Sequence, residues 1–258
     1  MERRHRYLRL KYYAIECLLA TFKPVFRVFY HLETLRRKLH IYLGATTRVV
    51  ERPYEYAFVL YNLPYGNNVC VLDVGTGSTA MGALLKGCNY VVDCLENTSY
   101  RQGRLPLNSH CNLIRGDVTS DMLSENCYDA VTCISVLEHI EEYNQAIENM
   151  VRVLKPGGVL ILTIPYNEHQ LLPDSYKHKK SNRYSSSVAY PCNIYSAREV
   201  QHWCAITGAS VEQKVVTRWW TGPFWNSGER LPHFLEVSKD QPHDHACILF
   251  KKPGYTSQ

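Results

Sequence analysis

Apolar residues recur every three or four positions from Leu8 through Tyr12, Ile15, Leu19 and Phe22, and again from Val25 through Val28, Leu32, Leu35 and Leu39. That spacing keeps them on one face of a helix, and Pro24 separates the two runs, so the first 52 residues are predicted to form amphipathic helices. Beyond Pro53 the pattern changes to short apolar runs bounded by turn residues. Such runs at 69–74, 90–96, 112–115, 130–135, 159–164, 210–216 and 246–251 read as strands. Helical stretches at 80–86, 144–154 and 197–207 fall between them, and another at 53–63 precedes the first. This series of βαβ units predicts the α/β class: a seven-stranded, mostly parallel sheet with helices on both faces, preceded by an N-terminal helical extension.

Two stretches fall outside the series. Residues 166–195 are polar, with Lys177, His178, Lys179, Lys180 and three serines at 185–187, and read as a lid. Residues 218–245 carry Trp219, Trp220, Phe224, Trp225 and Phe234 and read as an irregular aromatic insertion. The expected division is a basic extension over 1–52 and one catalytic-sized domain over 53–258.

Charge separates the same two parts. Residues 1–52 hold twelve Lys and Arg against four Glu, a balance of +8, while the remainder carries −3. No basic stripe or nucleic-acid module follows, so no nucleic-acid partner is expected. Two readings of the basic segment stand, a helical cap on the main domain or a peripheral contact of residues 1–38 with an anionic membrane. No run reads as a spanning helix or a cleavable leader. The ten cysteines sit mostly in apolar runs and form no Cys-x-x-Cys pair. They read as buried thiols of a reducing compartment, giving a cytoplasmic location with the inner membrane surface as its peripheral variant.

Candidate chemistry begins where the run 69–74 meets Gly75 and Gly77 and then a helix. Two glycines let a ligand approach the backbone, and the free N–H groups of the following helix favour a polar or anionic group. Asp73 stands at the carboxyl end of that strand, and Glu96, at the end of the next, suits the two hydroxyls of a ribose. Gly75, Gly77, Ala80 and Glu96 alone also satisfy the fingerprint of a nicotinamide dinucleotide enzyme.

Further motifs discriminate. Leu-Asp-Val-Gly-Thr-Gly at 72–77 is followed by Gly116-Asp117-Val118, Tyr128-Asp129-Ala130-Val131, Val136-Leu137-Glu138-His139-Ile140 and Arg152-Val153-Leu154-Lys155-Pro156-Gly157-Gly158. In this order and spacing the chain resembles class I S-adenosylmethionine-dependent methyltransferases of the small-molecule group, with a Rossmann-like sheet, over about residues 53–251. The third glycine common in the first motif is Thr79 here.

The resemblance implies S-adenosylmethionine as cofactor. Gly75 and Gly77 would run along its methionine part, with Asp73 holding the loop and the ammonium. Glu96 would take the ribose hydroxyls, Asp117 the adenine amino group and Val118 the ring edge. Ile134 and Ser135 would meet the methionine end, and His139 would serve as the base if the acceptor is a hydroxyl. Asp129 is expected only to start its strand. Ubiquinone-pathway O-methyltransferases, which the segment also resembles, use a carboxylate ahead of Glu138-His139 for a divalent metal. Here that position is Ser135, too few oxygens remain, and no metal is expected. His243-Asp244-His245, near His233, reads as a solvated loop in preference to a transition-metal site. The acceptor is expected to be a small molecule, a glycan or a lipid-linked compound methylated at oxygen, walled by the lid and the aromatic insertion. The rival classes are a methyltransferase-like binding protein without activity and, further off, an NAD-type oxidoreductase.

Overall fold

A computed structural model describes residues 51–77, 81–97, 111–182 and 190–254. The two predicted helices of the basic extension lie outside these residues.

Helix α1, Arg52–Asn62, begins with Pro53 in its first turn, where a missing N–H costs nothing. Strand β1, Cys70–Val74, leads to α2, Met81–Gly87, and then to β2, Val91–Glu96, and β3, Asn112–Arg115. Strand β4, Tyr128–Ile134, is followed by a 3-10 turn at Leu137–His139, helix α3, Tyr143–Arg152, and β5, Leu154–Pro165. The last elements are α4, Ala197–Thr207, β6, Ser210–Trp220, β7, Arg230–Val237, and β8, His245–Lys251.

One sheet joins all the strands in the order β3-β2-β1-β4-β5-β8-β6-β7. The pairs among β1 to β5 are parallel, and β8, β6 and β7 add antiparallel to one another and to β5. Eight strands, not the predicted seven, form the sheet. The extra one is β7, which makes the aromatic stretch a hairpin with a lengthened β6. Its sequence reads poorly as a strand because Pro232 interrupts it and most of its residues are exposed at the sheet edge. The helix before Lys155-Pro156-Gly157-Gly158 also ends earlier than predicted, at Arg152, and that tetrapeptide is a bulge at the start of β5, where the pairing with β4 shifts register.

Successive residues of the central strands go to opposite faces. Leu72, Val131 and Leu162 pack with Ile147 and Met150 of α3 and Val200 and Trp203 of α4, while Val71, Ala130 and Ile161 pack with Phe58 and Val59 of α1 and Met81 and Leu85 of α2. Helices therefore cover both faces, as the apolar runs predict. Helix α4 is defined by its ends: Ser196 and Glu199 form a capping box, and Gly208 closes it at φ 70°. Trp203, fully buried, donates its indole N–H to Asn144 Oδ1 of α3 at 3.0 Å and so ties the two helices together. At the opposite end of the sheet from the glycine turn, Asp129 takes both Lys155 Nζ, at 2.8 and 2.9 Å, and the Cys70 N–H, at 2.8 Å, a structural role.

Candidate active site

The carboxyl ends of β1, β2 and β4 converge, and the chain leaves each in a different way. After Val74, Gly75 adopts φ 68°, and a Cβ there would meet both methyl groups of Val136 at 2.5 Å. Only glycine satisfies both the dihedral and the close approach. Gly77, at φ 51°, donates its N–H to Glu96 Oε2 at 2.6 Å, so the acid at the end of β2 fixes the glycine turn as well as facing the cavity. Beyond β3, Asp117 Oδ1 accepts the N–H and hydroxyl of Thr119 at 2.9 and 2.8 Å, and its Oδ2 accepts Asn97 Nδ2 at 2.7 Å. Glu96 Oε2 and Asp117 Oδ2, with one donor each, keep a second lone pair for a ligand.

Together these ends enclose a cavity of about 510 Å³. Gly75, Gly77, Glu96, Asp117 and Val118 line one part of it, and Ile134, Ser135 and His139 another. Eight of the nine residues singled out from the sequence thus share one space. The ninth, Asp73, lies beneath it, 2% exposed, with Oδ1 accepting the Thr132 hydroxyl at 2.8 Å. Burial pushes its carboxyl up to about 6 against the pull of Thr132 and Thr76. It supports the turn from below and does not line the cavity.

His139 ends the 3-10 turn after β4, and its Nδ1 lies 2.7 Å from the Pro191 carbonyl oxygen. A carbonyl only accepts, so in the neutral ring Nδ1 carries the proton and Nε2 is the basic nitrogen. Tyr190 packs edge-on to the ring, with centroids 4.7 Å apart. The lid stretch supplies this wall: Tyr190 and Pro191 line the cavity, while Tyr166 and Tyr195 form a bridge at its base. The neighbouring Glu138 is buried, and burial raises its carboxyl to about 8, the partial charges of its own backbone and Arg52 opposing.

The sequence reading missed Arg52, Glu55 and His245. Arg52 lines the cavity, one third exposed, with Nη1 2.8 Å from Glu55 Oε2 and 3.3 Å from the Ile134 carbonyl. Glu55 is fully buried and its Oε1 accepts Ser135 Oγ and Thr163 Oγ1, both at 2.7 Å, and His245 Nε2 at 3.2 Å. Burial acts to raise its pKa, but His245, Arg52 and Ser135 outweigh burial and hold it at about 2. The signal was present, since Glu55, Phe58 and Val59 share one helical face, and a carboxylate on a buried stripe demands partners. Ser135 is held by this group at φ 48°, a left-handed corner uncommon for a residue with a side chain.

Two expectations change here. His243-Asp244-His245 is no solvated loop: Asp244 is 2% exposed and accepts the N–H groups of Trp219 and Trp220, and His245 is fully buried. The polar side-chain atoms of Asp244 and His245 are spent on the hairpin and on Glu55, and no cluster suited to a metal occurs among the described residues. The tryptophans do not line the cavity either. Trp219 is buried against Phe234, with centroids 5.1 Å apart, and Arg230 lies between Trp219 and Trp220 with its carboxylate partner Glu51 at 2.6 Å. The expected aromatic wall is instead packed within the hairpin.

Fold and site together give a doubly covered α/β sheet with a nucleotide-type cavity where β1, β2 and β4 end. A family model described as a methyltransferase domain matches residues 72–162, a span that includes every site residue predicted from the sequence. The match spans 91 of the 258 residues. A putative methyltransferase from Bacillus halodurans has a similar solved structure, with TM-score 0.56 and 14% identity over 78% of this chain and 99% of that one. So has the 1,6-didemethyltoxoflavin-N1-methyltransferase of Burkholderia thailandensis, solved with its namesake and S-adenosylhomocysteine bound, at TM-score 0.53 and 12% identity over 87% of this chain and 90% of that one. At such identities the likeness is one of fold. The ubiquinone biosynthesis O-methyltransferase of Rickettsia typhi is 25% identical over 126 residues, 46% of this chain and 51% of that protein. The chain thus spans about half the length of this curated relative.

Proposed function

We propose that the protein transfers a methyl group from S-adenosylmethionine to a hydroxyl of a small-molecule acceptor. The observation that carries this reading is the convergence of the glycine turn, Glu96, Asp117, Ser135 and His139 on one cavity. The residues suit the cofactor. Gly75 and Gly77 present backbone without side chains to the cavity, Glu96 and Asp117 offer acceptors to ribose hydroxyls and an adenine amino group, and Val118 offers an apolar edge. Ile134 and Ser135 border the methionine end, where the Arg52 guanidinium answers its carboxylate.

The bound sulfonium supplies an already activated methyl group, so the protein's part is alignment and proton removal. His139 Nε2 is the base: Pro191 fixes the tautomer, and Tyr190 limits the ring's freedom. Glu138, kept neutral by burial, places no charge beside it at neutral pH. Oxygen as the methylated atom is supported by the name of the Rickettsia typhi relative. A glycan or lipid-linked acceptor, the cytoplasmic location and the membrane contact of residues 1–38 rest on the sequence alone.

Titration calorimetry tests the cofactor: S-adenosylhomocysteine is expected to bind and NAD not to. Binding of NAD alone would make the chain a dinucleotide protein. Methyl transfer from radiolabelled S-adenosylmethionine to a panel of catechols and hexoses tests the reaction. Bound S-adenosylhomocysteine with no labelled product across broadening panels would favour the non-catalytic binding protein. With a product in hand, His139→Ala is expected to slow turnover about 100-fold while S-adenosylhomocysteine affinity stays within about twofold. A rate close to the parent's would leave His139 structural.

A further inference from the structure

Behind the cavity runs a chain of hydrogen bonds that the transfer reaction does not use directly. Trp219 Nε1 donates to Thr217 Oγ1 at 2.8 Å, Thr217 Oγ1 lies 3.1 Å from His245 Nδ1, and His245 Nε2 lies 3.2 Å from Glu55 Oε1. An indole N–H can only donate, so with His245 neutral the arrangement that satisfies every group has a single sense. Thr217 accepts from Trp219 and gives its own proton to His245 Nδ1, and His245 gives its Nε2 proton to Glu55. Trp219, Thr217, His245 and Glu55 are all buried. At the far end, Glu55 divides its two oxygens: Oε1 takes Ser135 and Thr163 with His245, and Oε2 takes Arg52.

We infer that Glu55 is a positioning residue for the amino-acid end of the cofactor, setting the Arg52 guanidinium and the Ser135 corner, and that the relay from Trp219 fixes Glu55 in turn. The inference rests on the cofactor reading of the cavity. Its physical basis is that a guanidinium one third exposed on a flexible stem recognises a carboxylate well only if its orientation is set in advance. The carboxylate that orients it is wholly out of water and bonded on both oxygens, so it has one position. Three of its donors come from three different strand segments, the exit of β4, the end of β5 and the start of β8. The relay thereby connects the β6–β7 hairpin with the methionine end of the site without touching adenosine-binding residues.

The test compares two probes by calorimetry: S-adenosylhomocysteine, which has the amino-acid end, and 5′-methylthioadenosine, which lacks it. Parent protein must bind S-adenosylhomocysteine, and failure there refutes the cofactor reading and not the role of Glu55. Glu55→Gln, close in shape but uncharged, is expected to weaken S-adenosylhomocysteine about tenfold or more and to leave 5′-methylthioadenosine within about twofold, the loss of one charge-assisted contact. Arg52→Ala is expected to give the same selective loss, and adding Glu55→Gln to it to give clearly less than the sum of the two losses, because the acid acts in large part through the guanidinium. If thermal melts show Glu55→Gln unfolded, Thr217→Val takes its place. It cuts the relay at a residue outside the cavity and is expected to lower the preference several-fold. An equal weakening of both probes, an unchanged preference in the folded variant, or full additivity with Arg52→Ala overturns the inference.

Discussion

Replacing Glu55 by alanine is expected to destabilise the domain by about 3–5 kcal/mol, a large share of the total stability of a domain. The loss comes from what remains: the Ser135 and Thr163 hydroxyls, His245 Nε2 and the Arg52 guanidinium would all lose an acceptor at once, Thr163 and His245 out of water. The Glu55 carboxyl, held at about 2 against an ordinary value of 4.5, fixes the pH sense. A depressed carboxyl contributes stability that is present above the unfolded pKa and is lost as pH falls toward the folded one. The penalty in the alanine variant should therefore be full at pH 7 and shrink between about pH 4.5 and pH 2. Urea unfolding of parent and variant at pH 7 and pH 3.5 checks this, and equal midpoints at pH 7 would mean that the buried bonds contribute nothing net.

Glu138→Gln is expected to act in the opposite direction and stabilise the protein at alkaline pH. Burial raises the Glu138 carboxyl from 4.5 to about 8, with Glu55 adding to the rise and Arg52 and His245 opposing it, and no donor meets its Oε2. A raised carboxyl favours folding while protonated, and that contribution is lost as pH climbs from the unfolded value through the folded one. Glutamine is uncharged throughout. The variant should match the parent near pH 4.5 and exceed it by an amount on the order of a few kcal/mol above pH 8. Asp73 and Asp244, both raised to about 6, give the parent a slope of the same sign, which persists in the variant. Only the difference between the two proteins measures Glu138, and a constant difference across pH would refute the assignment.

Much of the central fold was legible because its strands are buried on both sides. A strand covered by helices on each face must be apolar at nearly every position, and β1, β2, β4, β5 and β8 are. The glycine turn and the acids that follow were legible for a different reason, since only a narrow set of residues can sit where a backbone approaches a ligand. Strand β7 was not, because one edge strand exposed along most of its length has no such constraint. Glu55 escaped for want of a local partner other than Arg52: its remaining contacts are 80, 108 and 190 residues away along the chain. The tryptophans suggested a ligand wall because an aromatic cluster looks alike in sequence whether it faces a substrate or its own scaffold.

The place of β8 between β5 and β6 bears on how the chain comes together during synthesis. Strands β6 and β7 precede residues 245–251 in the chain and emerge ahead of them, and in the finished sheet their hairpin pairs with the parallel half through β8. Until then the open edges of β5 and β6 both present unpaired backbone, which is where chains in transit pair wrongly with one another. The short sequence of β8, buried at five of its seven positions, closes both edges at once.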